Sequence, residues 1–75
     1  MMLIQSGRTA GTIKQFNPMH GYGFIEFTAG DAHFHQRGLR FDLEDVRPGL
    51  RVTFVAHNTP KGWRAEDVRP AGGGR

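Results

Sequence analysis

The sequence predicts a small all-β protein: five short antiparallel strands curled into a barrel. Three observations lead there. Apolar and polar residues alternate over short runs instead of recurring at helical spacing. Clusters of Gly, Pro, Asn and Asp separate those runs at hairpin spacing. The chain has 75 residues and no cysteine, so its core must be compact and stand without disulfides or thiolate zinc. Five short strands laid out flat would leave long bare edges and a thin core, and closing the sheet removes both problems.

The first strand is read over residues 9–16, "TAGTIKQF", β-branched around Ile13. "YGFIEF" (22–27) and "AHFHQ" (32–36) alternate and are expected to form a hairpin across "TAGD". "LRVTFVAH" (50–57) places Val52, Phe54 and Ala56 on one side, and "WRAEDV" (63–68) closes the set. "NPMHG", "RPGL" and "NTPKG" supply the remaining turns. The longest connection, "RGLRFDLEDVRPG", has room for a short 3₁₀ or helical turn using Phe41, Leu43 and Val46. Residues 1–7 read as a short N-terminal segment, 8–70 as the domain, and 71–75 as a flexible Gly-rich tail.

Ten Lys and Arg against seven Asp and Glu give a formal charge of +3, which points to a polyanionic partner only if it is clustered on one face. There is no membrane-length apolar run and no signal-like start. Together with the missing cysteines, this gives the expectation of a soluble cytoplasmic protein that does not engage a membrane.

"HGYGFIEF" (20–27) is the most informative stretch. On a strand, Tyr22 and Phe24 share one face while Gly23, Ile25 and Phe27 share the other, so the strand has two apolar faces. In the hairpin register, Tyr22 and Phe24 join His33 and His35 outside, while Ile25, Phe27, Ala32 and Phe34 point into the barrel. The stretch matches the RNA-binding pattern K/R-G-F/Y-G/A-F-V-x-F/Y at six of eight positions. In an RNA-recognition motif this pattern follows a strand and a helix, for which the preceding residues leave no room. The five-stranded oligonucleotide-binding (OB) barrel, in contrast, binds single strands on the face of its second and third strands.

With these residues in view, the chain resembles the cold-shock domain family. "GTIKQFNPMHGYGFIEF" is similar to the family's G-T-V-K-W-F-N followed by K-G-[FY]-G-F-I, and "DAHFHQ" to D-V-F-V-H-F. "VRPGLRVTF" and "KGWRAEDV" resemble E-G-Q-x-V-x-F and K-G-P-x-A-x-N-V, so the likeness covers about residues 8–70 in order. It implies an OB-fold cold-shock barrel that acts as a single-stranded nucleic-acid chaperone. The departures are Gln15 for the first-strand Trp, His20 for the Lys, His33 and Gln36 for third-strand Phe residues, and Trp63 for Pro.

The expected binding residues are Lys14, Phe16, His20, Tyr22, Phe24, His33, His35, Lys61 and Trp63, with Arg37 and Arg64 as further flanking cations. Flat rings stack bases with little sequence preference, at about 1–3 kcal/mol each, and Lys and Arg track the phosphates. The orientation of Trp63 is open: it either faces the ligand or lies as a lid over the core. His33 and His35, two apart on one face, have a spacing that metal ligands use, but no Cys or Asp completes a set, so stacking is the better reading and no metal is expected. No catalytic motif or cofactor fingerprint is present, so neither an enzyme nor a cofactor is expected. The expected partner is single-stranded RNA or DNA. The chain is expected as a monomer, with a strand-exchanged dimer possible. The alternative function is an OB-fold protein-interaction module whose nucleic-acid binding has weakened.

Overall fold

The computed structural model describes residues 8–71. The expectations for the N-terminal segment 1–7 and for the Gly-rich tail from 72 onward lie outside the described residues. The alternating runs form strands β1 (Arg8–Asn17), β2 (Tyr22–Phe27), β3 (Gly30–His35), β4 (Arg51–Thr59) and β5 (Gly62–Pro70). Between β3 and β4 the chain makes two 3₁₀ turns, Gln36–Gly38 and Leu43–Asp45. The second falls within the run that carries Leu43 and Val46, and short turns of this kind suit a connector.

The strands close in the order β1-β2-β3-β5-β4. A purely antiparallel ring was expected, and the seam between β3 and β5 is instead parallel, with Ala32, His33 and Phe34 opposite Trp63, Arg64 and Ala65. The reason is parity: a ring with an odd number of strands cannot reverse direction at every step. Because β1 pairs antiparallel with both β2 and β4, the hairpin partners β3 and β5 run the same way.

Ile13, Ile25, Ala32, Phe34, Val52, Phe54, Ala65 and Val68 fill the interior. They come from all five strands at inward-facing positions, so the core depends on closure. Gly23 sits on this inner face opposite Phe16, where an added Cβ would fall on the Gln15 carbonyl and within 2.9 Å of the Phe34 ring. That close approach of β1 and β2 is what glycine allows here. A break in the β1–β2 register between Ile13 and Gln15 leaves Lys14 as the extra residue, directed outward. At one end of the barrel Phe27 meets Phe54 and Trp63 edge-on, with centroids 5.2 and 5.5 Å away.

Candidate nucleic-acid interface

The β2–β3 register pairs Tyr22 with His35 and Phe24 with His33, so these four side chains share the outer face, as the alternation predicts. Their rings do not form the expected group of four, however. Tyr22 and His33 lie 5.4 Å apart and His33 and Phe24 5.5 Å apart, and the fourth member is His20 from the β1–β2 turn, stacked on Tyr22 at 5.8 Å. The result is a continuous ladder, His20–Tyr22–His33–Phe24, in which Tyr22 contacts two imidazoles. The turn is fixed by Asn17, whose Oδ1 accepts from the backbone amides of Met19 and His20, and by Gly21 at φ +73°.

His35 is used differently. Its Nδ1 accepts a hydrogen bond from the Arg37 amide at 3.1 Å and caps the first 3₁₀ turn, so it serves the scaffold beside the ladder. Phe16 lies on the core side of β1, stacked on Phe34 at 5.7 Å and 11°, and its accessible part lines one recess with Gln15 and Tyr22 and another with Leu43 and Val46. Both residues border the face without belonging to the ladder.

Beyond Phe24 the ladder opens into a recess of about 620 Å³, lined chiefly by Phe24, His33, Lys61, Trp63 and Arg64. Trp63 lies at the rim, between core and recess. It is half-buried on the inner side of β5, edge-on to Phe27 as a lid over the core, and its accessible part walls this recess. Pro60 also lines the recess; its turn context carried no signal beyond turn chemistry. Arg37 lies elsewhere, in a second groove on the far side of β3.

Lys14 reaches Asp31 at 3.0 Å, and that hydrogen bond, with the charge of the carboxylate, raises the Lys14 pKa above its ordinary value. Both partners are exposed, so the pair adds little to stability. Asp67 accepts from Arg69, Arg40 and Arg8 at 3.1, 3.2 and 3.0 Å. The Arg69 hydrogen bond contributes most to holding its carboxyl below the usual aspartate range. Asp67 adopts φ +53° where the β4–β5 register shifts, and the three guanidinium groups hold that turned-out carboxylate.

Comparison with known proteins agrees with this geometry. Residues 9–71 match the family described as the "cold-shock" DNA-binding domain. The chain is 38% identical over 66 residues to cold shock protein CapB of Pseudomonas syringae, covering 85% of this chain and 96% of that protein. It is 36% identical over 66 residues to the major cold shock protein CspA of Pseudomonas aeruginosa, with the same shares covered. Among solved structures, "drosophila Unr CSD456" superposes with a TM-score of 0.67 at 19% identity, covering 91% of this chain and 29% of that one, a likeness of fold. The chain belongs to the cold-shock DNA-binding domain family.

Proposed function

We propose that this protein binds single-stranded RNA or DNA by stacking successive bases on the His20–Tyr22–His33–Phe24 ladder, and thereby acts as a nucleic-acid chaperone. The observation that carries the reading is the continuous run of four rings on the outer face of a hairpin whose inner face is already filled by core. Rings left outside a complete core offer π-faces to a ligand, and bases stack on them with little regard to sequence. Lys61 and Arg64 in the recess, and Lys14 once released from Asp31, neutralise phosphates along the strand. Trp63 walls the recess that receives the base beyond Phe24.

The chaperone action follows by mass action. A ligand that binds the unpaired state and not the duplex shifts the equilibrium toward unpaired strands by its differential affinity, without ATP. No catalytic residue enters this scheme, and neither a metal nor a cofactor is needed. Among the described residues no helix is long and apolar enough to cross a membrane, and the proposed site of action is the cytoplasm.

The test is titration of Trp63 fluorescence with a short oligonucleotide, single-stranded and as duplex, at two salt concentrations. The expected result is single-strand binding that weakens steeply with salt, duplex binding far weaker, and a change in Trp63 emission. If a labelled oligonucleotide shows no binding in either form, the reading fails and a protein partner for this face becomes the better account.

A further inference from the structure

The charge of this protein is not spread evenly. Arg8, Arg40 and Arg69 converge on Asp67, and Arg64 pairs with Glu66 at 3.6 Å. With Arg37 this gathers five arginines against two carboxylates around β5: Arg64 and Arg69 on β5 itself, Arg8 from β1, Arg37 from the first 3₁₀ turn and Arg40 from the connection after it. These seven side chains carry a formal +3.

A groove of about 320 Å³ runs through the cluster, walled by His35, Arg37, Arg40, Arg64, Glu66 and Asp67. One of its arginines is already oriented, Arg40, whose Nε donates to Asp67 at 3.2 Å, while Arg64 lies beside Glu66 at 3.6 Å, beyond hydrogen-bond reach. Arg37 is exposed and makes no ion pair among the described residues. The groove is also continuous with the ladder. Arg64 lines both the groove and the recess beyond Phe24, and it lies opposite His33 across the β3–β5 seam. His35, the cross-strand partner of Tyr22, walls the groove from the other strand.

We propose that this groove carries the phosphodiester backbone of a bound single strand onward from the ring ladder, with Arg37 as its free phosphate contact. The proposal rests on the ladder being the base-binding face, since the groove extends that site. Guanidinium groups held in place by carboxylates present planar donor forks, the geometry that phosphate oxygens accept. The one ring in the groove wall is the His35 imidazole, committed to the 3₁₀ cap through Nδ1, so the groove contributes chiefly charge: a strand crossing it gains affinity with length and becomes more sensitive to salt, with little gain in base preference. An acidic protein segment would also be attracted to the arginines. Continuity with the ladder through Arg64 and His35 favours the strand already bound there.

The experiment compares oligothymidylates of about six and about twelve nucleotides, lengths within the range that single-strand sites of such barrels occupy. Binding to the wild-type protein, Arg37→Glu and Arg37→Lys is measured across a salt series. The wild type is expected to bind the longer strand about five- to tenfold more tightly than its extra length alone provides by statistics, with a steeper salt slope. Arg37→Glu removes that gain and lowers the salt slope by about 0.7 for each phosphate that is no longer neutralised, while affinity for the shorter strand stays within about twofold. Arg37→Lys keeps most of the gain, because the charge remains. The proposal is overturned if Arg37→Glu weakens both lengths equally or leaves the longer strand unaffected. It is also overturned if polyglutamate, and not the longer strand, is the ligand whose binding depends on Arg37. If the wild type binds neither oligonucleotide, the ladder reading itself has failed, an outcome distinct from loss of the length effect alone.

Discussion

The β2–β3 hairpin has an inner face made of Gly23, Ile25, Ala32 and Phe34 and an outer face made of Tyr22, Phe24, His33 and His35, and the two obey different rules. Inside, Ile25, Ala32 and Phe34 are fully buried and each position is set by volume. Gly23 has no room for a methyl group, and Phe34 stacks on Phe16. Outside, Tyr22, His33 and Phe24 follow one another at 5.4 and 5.5 Å, with His20 of the turn 5.8 Å from Tyr22, and none of these rings belongs to the core. One strand pair thus carries a structural code on one side and, in the proposed reading, a binding code on the other. The difference teaches that aromatic content alone says little, because Phe24 and Phe34 are the same residue type on opposite sides of one sheet.

The largest effects are expected inside. Phe34→Ala deletes a fully buried ring from a core of eight residues and should cost about 3–5 kcal/mol, read as a collapse of the denaturant midpoint. Phe54→Ala, also fully buried and in edge contact with Phe27, should behave alike. Phe24→Ala on the outer face should instead weaken single-strand binding by about 1–3 kcal/mol while the protein stays folded. If Phe24→Ala melts the protein as Phe34→Ala does, the two faces are not separate systems.

A change in pH sharpens the same contrast. Asp67 holds scaffold elements together, so its titration should move stability. Its folded-state pKa is lowered, so its stabilising contribution is complete above the unfolded aspartate value of about 3.9 and is lost as pH falls from there through the folded value. In Asp67→Asn the stability near neutral pH should be reduced and the acid limb of the stability profile flattened.

Much of this arrangement was legible in the chain. Period-two alternation gives β2, β3 and β4, β-branched content gives β1, and alternation assigns Ile25, Ala32 and Phe34 inward and Tyr22, Phe24 and His33 outward, because a strand leaves a side chain only two directions. What alternation cannot give is the relation between elements distant in the chain. The parallel β3–β5 seam follows only from closure, and it is this seam that brings Arg37 and Arg40 from the irregular connection up to Arg64 and Asp67 on β5. The membership of the ring ladder likewise depended on a turn. His20 reaches Tyr22 because Asn17 and Gly21 fold the β1–β2 connection back over the sheet, whereas His35 is diverted by a cap that no spacing announces. Trp63 shows the same limit, since its position at the rim lets one indole serve both core and recess.

The smallest effect is expected at Lys14, and its sign is the informative part. The register break in β1 puts Lys14 on the outer side, where Asp31 engages it and raises its pKa through a 3.0 Å hydrogen bond. The pair is exposed, so it adds little to the fold, and Lys14→Gln should leave the thermal midpoint unchanged within error. In the proposed binding mode the same Lys is a phosphate contact held back by its carboxylate. Lys14→Gln should then lower the salt slope of single-strand binding by about 0.7, the value of one phosphate contact. Asp31→Asn should do the opposite and tighten binding, because it frees the ammonium and removes a negative charge from the path of the strand. If both variants weaken binding, the ion pair is itself part of the bound surface, and the outer face is then organised by its charges as tightly as the inner face is by its volumes.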